Sequence, residues 1–193
     1  SIKSENSQDL TGADQLMEQY QRIFSIKDKS ISIDNVESTK QGFHKRQISI
    51  EQPVLRNEKR LCIGLANIRV LESNYKSSYK PNAQPNISLD RQDDLFHIIN
   101  ESIRKTHCDL IVLPEVSIPY MWLPFLADHA RKKRVGIICG LEHWVINGIA
   151  YNLVATILPY GKNNSFQNSF ISLRIKNHYS PEEILDLNSY GLK

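Results

Sequence analysis

The sequence predicts an α/β fold with a largely parallel start to its sheet, on three observations. From Leu61 onward, short apolar runs alternate with amphipathic stretches. Leu95, Ile98, Ile99, Ser102 and Ile103 recur at helical spacing and make one face of a helix that packs on a sheet. The order of elements then reads strand, helix, strand, helix, strand, followed by a hairpin of strands, which places helices on one or both faces of the sheet.

Taken in order, Leu61 to Val70 (LCIGLANIRV) reads as a buried strand, and a polar loop with Pro81 and Pro85 follows it. After the Leu95 helix, Asp109 to Leu113 (DLIVL) is the next strand. A second helix spans about Trp122 to Arg134; Pro124 confines its start, and Arg131 to Arg134 form a basic, solvated last turn. Val135 to Cys139 is the third strand, Ala150 to Leu158 the fourth and Phe166 to Lys176 the fifth, with Pro159-Tyr160-Gly161 as the turn between the last two.

Residues 1–60 have a different texture, rich in Ser, Lys, Gln and Asn. Leu16, Met17, Tyr20, Ile23 and Phe24 give one short amphipathic helix from Thr11 to Phe24, with Thr11 and Asp14 resembling a capping box. Brief alternations, Ile31-Ser32-Ile33 and Ile48-Ser49-Ile50, are the remaining order. Residues 1–60 are therefore expected to be a polar linker or the tail of an upstream domain, and 61–193 the domain proper.

Composition narrows the function classes. Hydrophobic residues make up 40% and charged residues 23%, the balance of an ordinary globular protein. A formal charge of +3 from 24 basic and 21 acidic residues gives no single-sign field that argues for nucleic acid or an anionic membrane. No apolar run is long enough to span a bilayer and no signal-peptide layout appears, so the expected compartment is the cytoplasm. Cys62, Cys108 and Cys139 are odd in number and lie in or beside apolar runs, as reduced, buried thiols would; they make no zinc spacing with the histidines. No metal and no cofactor is expected, and no Gly-rich phosphate loop is present.

Two residues are candidates for chemistry. Glu115 follows Leu113-Pro114 at the carboxyl end of DLIVL, the end where open α/β sheets place their ligands, and the proline delivers it at a fixed angle, as a general base requires. Lys176 closes the alternating strand that also carries Arg174. Alone, each is better explained as a solvated or capping charge.

Together with their surroundings they form a pattern. The segments DLIVLPE, VGIICGLE, AYNLVATILPYG and SLRIKNHYSPEE resemble, in this order, the nitrilase or carbon–nitrogen hydrolase superfamily. Glu115, Gly140, Asn152 and Lys176 fall at that family's ordered positions over about Leu61 to Glu183. The resemblance implies an α-β-β-α sandwich, a glutamate that takes the proton of a cysteine thiol, a thiolate that attacks an amide or nitrile carbon, and a lysine that stabilises the developing charge. It further implies a second glutamate after the lysine, for which Glu182 and Glu183 are the candidates, although Pro181-Glu182-Glu183 also reads as a helix start.

The departure from the family is equally specific. Its nucleophilic cysteine belongs further along than Lys193, and none of the three cysteines present stands at the matching place. Residues 61–193 are thus expected to be the N-terminal half of a nitrilase-like domain, with the cysteine beyond this chain. The alternative is a non-catalytic binding or assembly module on the same fold. GLEHW, YNLVATILPYG and KNHYSPEE are similar to nitrilase-like domains fused behind reverse transcriptases in bacterial anti-phage defence, so the implied partners are a small amide or nitrile, a fused or associated reverse transcriptase, and further copies of the chain as a homo-oligomer. His143 and His178 flank the expected crevice, Trp144 and Tyr120 are candidates to wall it, and Trp122 reads as core.

Overall fold

The computed structural model describes residues 31–36, 45–50, 60–161, 168–176 and 178–193. The helix expected over Thr11–Phe24 lies outside the described residues. Within the polar first third, the two Ile-Ser-Ile alternations form strands β1 (Ile31–Val36) and β2 (Lys45–Ile50), paired antiparallel with Ile31 opposite Ile50 and Ile33 opposite Ile48.

The rest is mixed α/β. Its central sheet has five strands in the order β3 (Ile63–Leu65), β4 (Leu110–Val112), β5 (Gly136–Gly140), β8 (Leu153–Tyr160) and β9 (Asn168–Ile175). β3, β4 and β5 run parallel, and β8 and β9 pair antiparallel. The parallel steps are bridged by helices, as parallel neighbours require: α1 (Glu72–Ser77) and α2 (Leu89–Thr106) between β3 and β4, and α3 (Leu123–Lys133) between β4 and β5.

Helix α2 presents Leu95, Ile99 and Ile103 to the core, three of the residues that its sequence period puts on one face. Helix α3 begins with a proline in its first turn, where no backbone N–H is needed, and buries Leu123, Leu126, Ala127 and Ala130. These side chains join Ile111, Ile137, Cys139, Leu153, Ala155, Ile157, Ile171 and Leu173 in one apolar core on the helix-covered face of the sheet. The alternate residues Ile138, Val154, Thr156, Leu158 and Ser172 point to the other face and are only partly buried.

Four expectations change. The run Leu61–Val70 is not a buried strand: only Ile63–Leu65 pair, at the edge of the sheet, and Leu61, Ile63 and Leu65 are exposed. An apolar run cannot by itself distinguish a central strand from an edge. Pro159 and Tyr160 are not a turn; they extend β8 opposite Ser169 and Asn168, past Ile157, the last residue of β8 paired with β5, where a proline interrupts no ladder to that strand. The segment from Ala150 is not one strand but two, β7 (Ile149–Tyr151) and β8, separated at Asn152. Cys62 is exposed, not buried, because it lies just before the edge strand.

A hairpin of β6 (Trp144–Ile146) and β7 turns at Asn147-Gly148, both with positive φ (51° and 78°), the conformation that this dipeptide favours in a tight hairpin. Against it pack α1 and α4 (Pro181–Ser189), around Tyr79, Ala150 and Leu187 with Tyr75, Val145, Tyr179 and Tyr190 beside them. Lys193 closes this layer: its N–H donates to Gly148 O, and its carbonyl accepts from Ala150 N–H. No described helix is long and apolar enough to cross a membrane.

Candidate active site

Glu115 stands on a bulge at the carboxyl end of β4. Leu113 N–H still bonds Ile138 O, and the chain rejoins β5 only at the parallel bridge of Ile118 with Leu141. Between them, Gly140 N–H donates to Pro114 O, and Ser117 and Ile118 N–H both reach Gly140 O. The detour forces Val116 to φ +45°, a conformation that a β-branched residue avoids, at a cost of about 1–3 kcal/mol.

Gly140 makes the detour possible. A Cβ at this position would lie 2.5 Å from Glu115 Cα, 2.8 Å from Val116 N and 2.9 Å from Pro114 O, all of them backbone atoms. The glutamate therefore rests on a strand that can approach only because it has no side chain.

From below, Arg91 at the start of α2 ties the two crossing segments together. Its guanidinium donates to Ser117 O at 3.0 Å, to Asn86 O at 2.7 Å and to Glu142 Oε1 at 2.5 Å, and it lies over the buried Trp122 ring. Glu142 is fully buried, and burial pushes its carboxyl above the ordinary range against the pull of Arg91.

Lys176 arrives from the other side, immediately after β9. Its backbone N–H bonds Asn152 O, fixing the strand end. Its ammonium lies 2.9 Å from Glu115 Oε1 and 3.1 and 3.0 Å from the two Glu183 oxygens. Burial pulls this ammonium down, but the hydrogen bonds and charges of Glu115 and Glu183 together outweigh it and hold the lysine above its ordinary value.

Glu183 does two things at once. At the third position of α4 it completes a capping box with Ser180: the Ser180 side chain accepts from Glu183 N–H, and Glu183 Oε2 accepts from Ser180 N–H. The same carboxylate grips Lys176. Burial works against its charge, but the Ser180 N–H and Lys176 prevail, and the carboxyl sits below its ordinary value. The helix-start and second-glutamate interpretations of Pro181-Glu182-Glu183 are thus compatible; Glu182 is exposed.

Asn152, at the break between β7 and β8, donates from Nδ2 to Glu115 Oε1 at 3.2 Å. Glu115 is accordingly held by an amide and an ammonium on one oxygen. His143 is buried beside the cluster, and neither ring nitrogen has a hydrogen-bond partner among the described residues. Burial depresses its pKa, so the ring is neutral at pH 7. His178 is exposed. Tyr120 and Trp144 stack with ring centroids 4.5 Å apart and planes within 6°, while Trp122 is core.

All three cysteines are accounted for, and none is presented to Glu115. Cys62 and Cys108 precede β3 and β4, at the opposite end of the parallel strands. Cys139 is buried in the core beneath α3, where burial pushes its thiol up to about 12. Among the described residues no group of His, Cys, Asp and Glu is arranged to hold a metal ion.

Arg91, Glu142 and Tyr179 contribute without standing at any of the ordered motif positions in the sequence. Glu142 carried a signal, being an acid just past the end of a strand like Glu115. Arg91 lies in a charged first turn with nothing to distinguish it. What the arrangement offers chemically is a carboxylate base, an ammonium kept charged, and a second carboxylate that anchors it. No protein-family model matches the sequence, and no curated protein matches it.

Proposed function

We propose that this chain supplies the base and the charge-stabilising half of an amide or nitrile hydrolase of the nitrilase type. Glu115 takes the proton of a cysteine thiol contributed from outside these residues. The thiolate attacks the amide or nitrile carbon, and Lys176 stabilises the charge that develops on the carbonyl oxygen or nitrile nitrogen. Ammonia leaves, directly from the tetrahedral adduct of an amide or after one water adds to the thioimidate formed from a nitrile, and a further water hydrolyses the thioester to the acid and the free thiol. In this reading the sheet described above is half of an α-β-β-α sandwich, and the partly buried face carrying Ile138, Val154 and Leu158 belongs to its interior.

The observation that supports the reading is the Glu115–Lys176–Glu183 constellation, with Asn152 on the Glu115 carboxylate. Three charges converging at one rim from β4, β9 and α4 exceed what capping or solvation needs. The test is ammonia release by the full-length gene product from a panel of short amides and nitriles. Wild-type release that is lost in Glu115→Gln and Lys176→Ala supports the reading; release unaffected by both overturns it.

A second reading, a non-catalytic assembly module attached to a reverse transcriptase, is favoured by one observation: no cysteine of this chain faces Glu115. It predicts that the full-length protein has no cysteine beside the Glu115–Lys176 pair and that association with a polymerase domain, rather than turnover, responds to changes here.

A further inference from the structure

Tyr179 touches two members of the candidate site, Asn152 and Lys176. Its hydroxyl donates to Ala150 O and accepts from Asn152 N–H, each at 2.8 Å. These two backbone groups bracket Tyr151, where β7 gives way to β8. Since Lys176 N–H takes Asn152 O, the phenol and the lysine backbone hold both polar groups of Asn152, whose side chain then reaches Glu115.

The ring has its own task. The Lys176 ammonium lies 5.6 Å from its centroid, within cation–π range, and the His143 ring stacks on it at 6.3 Å with 27° between planes. His143 in turn meets the edge of Tyr79 at 5.0 Å, and Tyr79 donates to Asp186 on α4. An aromatic column thus runs from the core of the α1–α4 layer up to the ammonium. A phenylalanine at 179 would keep the column and strand two backbone groups; a leucine would remove the platform too.

The geometry points to Tyr179 as a positioning residue: its hydroxyl fixes Asn152, and its ring fixes where the Lys176 ammonium stands relative to Glu115. Its part in turnover rests on the hydrolase reading above, whereas its hold on Lys176 and Asn152 is measurable without turnover.

The experiment is NMR on the full chain with labelled lysine and backbone amides, comparing wild type, Tyr179→Phe and Tyr179→Leu. In Y179F the Asn152 amide is expected to exchange about tenfold faster, the loss of one buried hydrogen bond, while Lys176 titrates as in wild type. In Y179L the Lys176 pKa is expected to fall by about half a unit as the cation–π contact is lost. A purely structural tyrosine would lower the melting temperature in both variants and separate neither readout. Wild-type exchange at Asn152 in Y179F, or wild-type titration of Lys176 in Y179L, overturns the assignment; Tyr179→Met replaces Y179L if leucine prevents folding. Absence of ammonia release from the wild-type full-length protein would count against the hydrolase reading and leave both readouts standing.

Discussion

The Glu115 carboxylate and the Lys176 ammonium stand 2.9 Å apart, although one follows β4 and the other follows β9, with two strands of the sheet between them. The Glu115 side chain is 56% exposed, so this contact adds little to stability while its geometry is set by the bulge, Asn152 and Glu183. Glu115→Gln is therefore expected to leave the melting temperature nearly unchanged and, on the proposed hydrolase reading, to reduce the kcat of the full-length protein by about a hundredfold or more. Parallel thermal melts and ammonia-release assays check the split; a large loss of stability with proportionate loss of activity would contradict it.

Gly140 is the position where packing and site geometry meet. Because the atoms that a Cβ would strike are backbone, relief requires the Glu115 bulge to move, and Gly140→Ala should destabilise by about 1–3 kcal/mol in urea titrations. Gly148→Ala is the control: it meets no atom within 4 Å, and its cost of about 1–2 kcal/mol comes from φ +78° alone. The two differ in effect on the site, since only the first should shift the Glu115 resonances.

The buried Arg91–Glu142 pair gives a prediction with a definite pH sign. Arg91→Met leaves a fully buried carboxylate without its cation, at a cost of about 3 kcal/mol or more at pH 7. Burial already raises the Glu142 pKa and, without Arg91 to oppose it, raises it further. A carboxyl whose folded pKa is raised favours folding at low pH and opposes it as pH climbs above the ordinary glutamate value of 4.5. The Arg91→Met deficit should thus shrink from pH 7.5 to pH 5, and adding Glu142→Gln should recover stability at pH 7.5. A pH-independent deficit would show that Glu142 does not carry it.

Glu183 has the opposite sign. Its folded pKa is depressed, so its contribution is present above 4.5 and is lost as pH falls through the folded value. Glu183→Gln should be less stable than wild type by about 1 kcal/mol at pH 7, and the gap should close below pH 4.5. Urea midpoints at pH 7, 5 and 3.5 measure it. Lysine protonation plays no part in this window, because the Lys176 pKa is raised from 10.5.

What the sequence revealed and what it hid follow from the range of the interactions. Helix α2 was legible because Leu95, Ile99 and Ile103 advertise their common face within a few turns, and Pro114-Glu115 because a strand end is a local event. The convergence of Glu115 with Lys176 depends on the order of strands in the sheet, which no local segment encodes; in the sequence it is implied only by the resemblance of the four ordered segments. The edge character of β3 was hidden because exposure of Leu61, Ile63 and Leu65 depends on what lies beside them, not on their own type. The β6–β7 hairpin is signalled by Asn147-Gly148, but the apolar run that continues from β7 into β8 masks where its second strand ends. Arg91 and Tyr179 act across the fold on Ser117, Glu142, Asn152 and Lys176, contacts that no periodicity encodes.

The cysteines provide the last prediction. Cys62 is exposed beside the edge strand, its thiol directed at Thr106 O, whereas Cys108 and Cys139 are fully buried and burial holds the Cys139 thiol up to about 12. A thiol reacts as its thiolate, so burial silences Cys108 by denying access, and Cys139 by access and acidity together. An aromatic disulfide reagent at pH 8 should label one thiol per native chain within minutes and all three only after unfolding, with Cys62→Ser abolishing the fast phase. Fast native labelling of Cys139 would mean that this thiol opens toward Glu115 past Gly140. On the proposed hydrolase reading, Cys139 would then be the candidate nucleophile, one residue before the Gly140 against which Glu115 rests.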